Sequence, residues 1–405
     1  MAVPATPAQA LGPSIHQISF TEKLDLPLGL ISVLGTAIYT ALTAPFRGES
    51  GAYRFGQHVS TAVVRKVYLH SIILFAETSS LASPPACSKI QYSATTVGYL
   101  YLAFHSFILK RHRYVGEPFG KVYEKWAQQN NVPVQNVKLK SGVNAFWLGD
   151  HKTAKYIVVY FHGGGFSLDG EDTHFKFWNT VHTDLESTNV TVATLFLEYT
   201  LVPHATYPTQ IREAVEAVNY VLADLKRPAS DIILAGDSAG GNMALAVLSH
   251  IAHPSPDLPP ISLSANDKLK ALVLIAPWTS FRLDFPSADR NKYKDIVSPY
   301  AGSTWSKDYM GGKETSPYAE ALNAPDGWWT DARVEQLLAV AGADELLVDP
   351  IKEWFAKYEA VNPSTSTLVV APHEHHIEPI MTLRWGNTTE TEQGKAIKSW
   401  LKSKL

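Results

Sequence analysis

Cysteine is nearly absent from this sequence, and neither sign of charge is in clear excess. Cys87 is the only cysteine among 405 residues, so no disulfide can form within the chain, and no Cys/His spacing predicts a zinc site. The 35 basic and 38 acidic residues give a net charge of −3, without a basic stripe. This balance offers no surface suited to a polyanion, so we expect no nucleic-acid partner.

The first residues also lack the pattern of a secretory signal. The segment MAVPATPAQALGPSIHQ has no basic stretch followed by an apolar core. Together with the single cysteine, this favours a reducing compartment. We expect a protein that is cytoplasmic or associated with an intracellular membrane, and not classically secreted.

One long uncharged run complicates the prediction of a soluble protein. Residues 26–46, LPLGLISVLGTAIYTALTAPF, carry no charge over 21 positions, which is long enough for a helix to cross a bilayer. Pro27, Gly29 and Gly35, with several Ser and Thr side chains, make the run only moderately hydrophobic. Two interpretations stay open, a helix buried in a cap and a helix that contacts a membrane.

The pattern of apolar residues changes near residue 134. Before it, apolar helix-compatible stretches alternate with Pro/Ser-rich breaks, which predicts an N-terminal helical region over residues 1–133. After it come two short strands and then six continuous apolar runs: YIVVYFH (156–162), VTVATLFLEY (190–199), DIILAG (231–236), LKALVLIAPW (269–278), EQLLAVAG (335–342) and TLVVAP (367–372). Helix-compatible stretches separate the runs. We predict an α/β fold, with a mostly parallel sheet between helices and its ligand chemistry at the carboxyl ends of the strands.

The segment GDSAGG, residues 236–241, directly follows one of these runs and precedes a helix-compatible stretch. It fits G-x-S-x-G, in which the serine occupies a sharp turn between strand and helix with its hydroxyl exposed. The N-terminus of the following helix would direct partial positive charge at an oxyanion formed there. Taken alone, the motif is equally compatible with a structural turn and with a nucleophilic Ser238.

A second glycine-rich segment changes that balance. His162-Gly163-Gly164-Gly165-Phe166 follows another predicted strand, and three successive glycines leave backbone N–H groups unshielded, as an oxyanion hole requires. A flexible loop is the alternative interpretation. Such a composition is rare in a loop at a strand end 75 residues before a G-x-S-x-G turn.

Together, HGGG and GDSAGG resemble the hormone-sensitive-lipase-like branch of the α/β-hydrolase superfamily. The segment Tyr199-Thr-Leu-Val-Pro203 is similar to the branch's Tyr-Arg-Leu-Ala-Pro, although Thr200 stands where relatives have arginine. The resemblance covers about residues 135–400, and fungal steryl-acetyl-hydrolase-like proteins and secondary-metabolite hydrolases look most similar. It implies an α/β-hydrolase catalytic domain over residues 134–405, with a helical cap from residues 1–133 and an insertion at about 279–330.

The resemblance also implies a serine, an acid and a histidine in that order along the chain. The family's acid lies in a Gly-x-x-acid-x-Leu-x-Asp stretch, and residues 342–349, GADELLVD, match it without a gap only if Glu345 is the acid. Asp344 remains an alternative, since either carboxylate could orient an imidazole. Asp349 is expected to cap the helix that follows.

Three histidines in PHEHHIEP, residues 372–379, are candidates for the base. Aligning the family's His-x-x-Pro ending selects His376, while His373 and His375 are the alternatives, with polar loop positions as their ordinary interpretation. Three neighbouring histidines also raise metal binding. Because the serine and the glycine loop already account for a histidine here, we expect no metal and no cofactor.

By resemblance, the oxyanion donors would be the backbone N–H groups of Gly164, Gly165 and Ala239, with His162 bracing the loop. Both cap segments are rich in aromatic residues: Tyr92, Tyr99, Tyr101 and Phe104 in the first, and Trp305, Tyr309, Tyr318, Trp328 and Trp329 in the second. We expect most to be packing residues and those at the mouth to favour an apolar ester, such as a sterol-, polyketide- or terpenoid-like one.

We therefore predict a serine hydrolase that cleaves a small apolar carboxylic ester through an acyl-enzyme. An amidase or deacetylase would use the same residues. Two further alternatives are a non-hydrolytic biosynthetic catalyst, by acyl transfer or cyclisation, and a ligand-binding protein on a hydrolase scaffold. Nothing in the sequence determines the oligomeric state.

Overall fold

The computed structural model describes residues 20–46, residue 52, residues 57–66 and residues 117–405. Cys87 and the four aromatic residues named for the first cap segment lie outside the described residues. The N-terminal region therefore contributes three described helices: α1 (Phe20–Thr43), α2 (57–66) and α3 (Phe119–Gln129). The division at residue 133 stays a prediction.

An eight-stranded sheet lies at the centre of the described chain, with the strand order β1-β2-β4-β3-β5-β6-β7-β8. Its strands are β1 (Asn136–Lys138), β2 (Asn144–Leu148), β3 (Tyr156–Phe161), β4 (Val192–Glu198), β5 (Ile232–Asp237), β6 (Ala271–Ile275), β7 (Leu337–Gly342) and β8 (Ser366–Ala371). Strands β3 to β8 run parallel, and β1 and β2 pair antiparallel at one edge. The predicted α/β fold with a mostly parallel sheet is confirmed.

Every residue of β3, β5, β6 and β7 is buried, because helices cover the sheet. The helices between and after the strands are α4 (Asp172–Glu186), α5 (Thr209–Asn219), α6 (Ala239–Ala252), α7 (Pro286–Arg290), α8 (Pro299–Met310), α9 (Val348–Val361), α10 (Glu378–Met381) and α11 (Glu392–Lys404). Helices α3, α10 and α11 pack against α4, whereas α5 packs on α6. Continuous Val/Ile/Leu strands need this cover, since both of their faces are apolar.

The parallel sheet brings the predicted site residues to one edge. The carboxyl ends of β3, β5, β7 and β8 lead into the loops that carry HGGG, Ser238, Glu345 and His376, respectively. Residues 279–330, the predicted insertion, follow β6 and include α7 and α8. The assignment of this segment as part of a cap stays a prediction.

Helix α1 contains most of the uncharged run at residues 26–46. Among the helices of the described residues, none combines the length and the apolar character needed to span a bilayer. Thr40 is buried, but Ile31, Leu34, Ile38 and Leu42 each expose 53% or more of their surface. The part of the helix from residue 31 onward is therefore only partly buried, and both interpretations, a cap helix and a helix that contacts a membrane, stay predictions.

Candidate active site

Ser238 lies at the sharp turn between β5 and α6. Its φ of 51° and ψ of −116° are unusual for a residue with a side chain, so the surrounding structure must hold the turn. A Cβ on Gly236 would lie 2.3 Å from the carbonyl oxygen of Gly240, and a Cβ on Gly240 would lie 1.9 Å from that of Phe161. The spacing of glycines in G-x-S-x-G thus follows from the close approach of strand and helix.

His376 is the histidine that faces this serine. Its Nε2 lies 2.8 Å from Ser238 Oγ, and both side chains are almost completely buried. The loop between β8 and α10 carries His376, so two distant parts of the chain meet at hydrogen-bond distance. A neutral imidazole at this position can accept the serine proton.

Glu345 lies on the other side of the imidazole. Its Oε1 is 3.6 Å from His376 Nδ1, and among the described residues neither atom has another hydrogen-bond partner. The distance exceeds that of a hydrogen bond, but such contacts in unliganded sites often tighten when substrate binds. Glu345 Oε2 accepts the backbone N–H of Gly342 at 2.8 Å, which fixes the carboxylate.

Asp344, the alternative acid, is directed elsewhere. Its Oδ1 lies 3.1 Å from Lys294 Nζ. Asp349 also differs from its expected role, because its carboxylate accepts the N–H of Ser287 at the start of α7 and pairs with Arg290. Asp349 lies inside the first turn of α9, so its side chain reaches a neighbouring segment and does not cap its own helix.

Burial and charge act in opposite directions on the site's titratable groups. Burial raises the pKa of Glu345, and the neighbouring His376 only partly offsets this effect. Burial also opposes a charged imidazole, yet Glu345, with Asp295 and Asp237, holds the pKa of His376 above its ordinary value. The surrounding carboxylates therefore favour His376 as a proton acceptor.

The HGGG segment follows β3 and runs beside Ser238. Gly164 and Gly165 have φ values of 110° and 60°, and within the described chain neither backbone N–H donates to a protein acceptor. Ala239 is the first residue of α6, where a backbone N–H has no partner within its helix. These three predicted donors are therefore available to an oxyanion.

His162 braces this loop, as expected from the resemblance. Its Nδ1 lies 2.7 Å from the Gly163 carbonyl oxygen, and its ring stacks on Tyr199 at 4.4 Å. Burial lowers the pKa of His162 to about 3, so the ring is neutral. The Tyr199 hydroxyl donates to the His162 carbonyl oxygen at 2.9 Å.

Thr200, at the position where the resemblance implies an arginine, contacts Glu213. Its Oγ1 donates to Glu213 Oε1 at 2.6 Å, and its backbone N–H donates to Oε2 at 2.7 Å. Both oxygens of Glu213 are thus satisfied without an ion pair. Burial raises the pKa of Glu213 despite these two hydrogen bonds.

The other two histidines of PHEHHIEP do not face Ser238. His375 Nδ1 lies 3.0 Å from Glu378 Oε2 and 2.9 Å from the carbonyl oxygen of His376. His373 has a left-handed backbone, and its carbonyl oxygen accepts a hydrogen bond from Gln57. Among the described residues no group of three His, Cys, Asp or Glu side chains could hold a metal ion.

Aromatic side chains from α8 cover the glycine loop. A Cβ on Gly165 would lie 2.4 Å from the Trp305 ring, and Tyr309 stacks on Phe166 with ring centroids 3.7 Å apart. Trp305, Tyr309 and Trp329 are buried, whereas Tyr318 and Trp328 are partly buried. This burial agrees with the expectation that most of these aromatics are packing residues.

The sequence model of a protein family described as the alpha/beta hydrolase fold matches residues 158–378, from β3 to the start of α10. The chain belongs to the α/β-hydrolase family. The predicted α/β-hydrolase superfamily is confirmed, and membership of the hormone-sensitive-lipase-like branch stays a prediction. The matched residues include Ser238, Glu345 and His376.

Individual proteins support the same membership. An esterase of Acinetobacter venetianus is 28% identical over 239 residues, 57% of this chain and 70% of the relative. Neutral cholesterol ester hydrolase 1 of Bos taurus is 31% identical over 177 residues, 42% of this chain and 40% of the relative. The chain spans about half the length of the curated relatives it matches.

A solved hormone-sensitive lipase from a metagenome library has the same fold. Its TM-score is 0.53 at 21% identity, covering 70% of this chain and 92% of that structure. This α/β-hydrolase carries the name of the branch that the motifs resemble. Likeness to fungal members stays a prediction.

Sequence reasoning missed Asp237, although it is the second residue of GDSAGG. In this α/β-hydrolase its Oδ1 accepts the Tyr160 hydroxyl and, at 2.9 Å, the N–H of Gly163. His174 Nε2 lies 3.5 Å from the same oxygen. Asp237 therefore ties the glycine loop to the turn that carries Ser238, and its place inside the motif was the available signal.

Proposed function

We propose that this α/β-hydrolase is a serine esterase that cleaves carboxylic esters through an acyl-enzyme. The observation that carries the proposal is the 2.8 Å contact between Ser238 Oγ and His376 Nε2 at the turn after β5. Glu345 behind the imidazole supports it, as do the N–H groups of Gly164 and Gly165, which have no acceptor among the described residues. Relatives named as esterases support the ester as the substrate class.

In the first half of the reaction, Ser238 Oγ attacks the ester carbonyl carbon while His376 Nε2 takes the serine proton. The carbonyl oxygen becomes an oxyanion, which accepts hydrogen bonds from Gly164, Gly165 and Ala239. The intermediate then collapses, the bond to the alcohol oxygen breaks, and His376 donates its proton to the departing alcohol.

In the second half, water attacks the acyl-serine carbonyl and His376 takes one of its protons. Collapse releases the carboxylic acid, and the same proton returns to Ser238. Glu345 remains ionised throughout and stabilises the imidazolium, so the enzyme ends in its starting state. No cofactor enters any step.

We further propose that the substrate is a small apolar ester, such as a sterol-, polyketide- or terpenoid-like one. Trp305 packs directly against Gly165, one of the proposed oxyanion donors, so part of the site's wall is aromatic. A relative named neutral cholesterol ester hydrolase agrees with an apolar alcohol moiety. A role in fungal secondary metabolism is the corresponding proposal for the pathway.

Contact with a membrane through residues 26–46 belongs to the same proposal. The exposed side chains of Ile31, Leu34, Ile38 and Leu42 recur at helical spacing along α1. An apolar stripe of this kind can lie at a lipid surface without crossing it. Such contact would bring the enzyme to lipophilic esters.

The decisive experiment exposes the protein to a fluorophosphonate and measures intact mass, with Ser238→Ala as the control and a short-chain p-nitrophenyl ester assay on the same samples. We expect one adduct per chain and ester turnover, both lost in Ser238→Ala. A folded protein with neither adduct nor turnover would overturn the proposal and favour a ligand-binding protein. An adduct with acyl transfer to an added alcohol in place of hydrolysis would favour a non-hydrolytic catalyst.

A further inference from the structure

The segment that follows β6 reaches back to the loops carrying the proposed acid and base. Within it, residues 287–295 comprise most of α7 and the turn after it, and they contact the loop between β7 and α9 repeatedly. Ser287 Oγ donates to the Leu346 carbonyl oxygen at 2.6 Å. Asn291 Nδ2 donates to the carbonyl oxygens of Ala343 and Glu345 at 3.0 and 2.8 Å.

Asp295 is the centre of these contacts. Its side chain is completely buried, and among the described residues no basic side chain lies within ion-pair distance of its carboxylate. Its two oxygens instead accept three backbone N–H groups: those of Leu346 at 2.6 Å, His376 at 3.2 Å and Ile296 at 2.7 Å. A buried carboxylate is costly without such partners, so its presence here requires this convergence.

Two of these donors belong to the residues of the proposed machinery or their neighbours. Leu346 follows Glu345, and the other of these two donors is the backbone N–H of His376 itself. The backbone of His376 has a second contact, because its carbonyl oxygen lies 2.9 Å from His375 Nδ1. Asp295 thus joins the acid loop and the base loop at one point.

We infer that Asp295 is a positioning residue that fixes the Glu345 loop and the His376 backbone in a single reactive arrangement, and that its charge supports the His376 imidazolium. The inference rests on the proposed esterase function. It assigns a role to the insertion that is separate from covering the substrate. Asp295 acts through other residues and does not touch the reacting atoms.

Several charged groups of the described chain face His376 and must be considered together. Glu345 lies after β7, Asp295 lies after α7, Asp237 lies at the end of β5, and the His375–Glu378 pair lies on the same loop and α10. Removing only the Asp295 charge should destabilise the imidazolium, because one of three nearby carboxylates is lost. The pKa of His376 should then fall.

The test compares Asp295→Asn with Asp289→Asn in steady-state kinetics across pH. In the wild-type protein both carboxylate oxygens of Asp295 accept backbone N–H groups. The amide of Asp295→Asn has only one oxygen, so its N–H₂ must face at least one of these donors. We expect kcat to fall about 10²-fold with little change in KM, and the acidic limb of kcat/KM to move to lower pH. Asp289, which is 84% exposed on the same segment, is the matched control and should change neither quantity.

Asn291→Ala separates positioning from charge. It removes the two hydrogen bonds to the acid loop but keeps the Asp295 carboxylate, so kcat should fall while the acidic limb stays in place. Thermal unfolding verifies that each variant is folded. If Asp295→Asn does not fold, Asn291→Ala decides the positioning role, and wild-type kcat in folded Asn291→Ala overturns it.

A folded Asp295→Asn with wild-type kcat and an unmoved acidic limb overturns the inference. A lower kcat with an unmoved limb overturns the role of the charge. Failure of the proposed function is distinguishable, because wild-type protein would then lack ester turnover and the Ser238 adduct. With wild-type turnover present, the Asp295 results concern the inference alone.

Discussion

His375 and His376 are neighbours in the chain, and each faces a buried carboxylate, yet their surroundings give them different chemistry. His376 lies between Glu345 and the Ser238 hydroxyl, 3.6 and 2.8 Å away. His375 Nδ1 lies 3.0 Å from Glu378 and 2.9 Å from the His376 carbonyl oxygen. One pair is arranged around a nucleophile, whereas the other is arranged around backbone.

The difference shows that a histidine's role depends on what its second nitrogen and its neighbours face. Despite the opposing effect of burial, Glu378 raises the pKa of His375 to about 9, so this imidazole is charged at neutral pH. An imidazole that is already protonated at neutral pH cannot act as a base there, but it can hold the backbone of the residue beside it. His375 therefore supports the loop that carries His376, the proposed base.

Replacing each histidine by alanine should give the largest difference in kcat between the His376–Glu345 pair and the His375–Glu378 pair. His376→Ala removes the proposed base, and we expect kcat to fall about 10⁶-fold, as far as in Ser238→Ala, because members of one catalytic unit are non-additive. His375→Ala should retain far more activity in the same p-nitrophenyl ester assay. Equal losses in two folded variants would contradict the division of roles.

Replacing the carboxylates should again lower kcat more at the His376 pair than at the His375 pair, but by less than replacing the histidines. Glu345→Gln keeps the shape of the side chain but removes the charge behind the imidazole, and we expect kcat to fall about 10⁴-fold. Glu378→Gln and Asp344→Asn should lose much less, since neither group faces His376 Nδ1. A larger loss of kcat in folded Asp344→Asn than in Glu345→Gln would move the acid to Asp344.

Protein stability should depend on pH through the His375–Glu378 pair. Because the pKa of His375 rises from 6.5 to about 9 on folding, its contribution is complete below pH 6.5 and is lost as pH rises through 9. His375→Gln leaves Glu378 buried and unpaired, so the free energy of unfolding should fall by about 3–5 kcal/mol at about pH 6. Urea denaturation of both proteins across pH measures this difference.

Between neutral and alkaline pH, the free energy of unfolding of the wild-type protein should lose the contribution of His375, whereas that of His375→Gln should show no such loss. The lowered pKa of Glu378 acts at the other end, because its contribution is present above its ordinary value of 4.5 and is lost as pH falls through its lowered pKa. A constant stability difference from pH 6.5 to 9 would contradict a charged His375.

The smallest predicted effect comes from Gln57 in α2. Its Nε2 donates to Glu378 Oε2 at 3.3 Å and to the His373 carbonyl oxygen at 3.1 Å. Gln57→Ala should lower the free energy of unfolding by about 1 kcal/mol and leave kcat unchanged. A large loss of kcat would show that the His375–Glu378 pair contributes more to the proposed catalysis than its geometry indicates.

The sequence predicted much of the fold and the nucleophile's side of the site because their signals are local. Continuous apolar runs indicated the parallel strands, and the glycines of GDSAGG and HGGG follow from close backbone approaches around Ser238. The choice between Glu345 and Asp344 had no local signal in the side-chain chemistry. In the structure, contact with Lys294 directs one of the two adjacent carboxylates away.

Asp295 could not be predicted because two of its three hydrogen-bond donors are distant in sequence. Its partners at Leu346 and His376 are 51 and 81 residues away in sequence, and no motif surrounds it. His375 was ambiguous for a different reason: Glu378 lies only three residues away, but the residue types alone do not show that the two side chains meet. Groups that act by holding backbone leave little trace in residue type.

The most direct test of the account measures the rate at which a fluorophosphonate labels Ser238 in wild-type protein, His376→Ala and His375→Ala, by intact mass over time. The account predicts rapid single labelling in wild-type protein, labelling that is nearly lost in His376→Ala, and substantial labelling in His375→Ala. Equal labelling of wild-type protein and folded His376→Ala would contradict activation of Ser238 by His376.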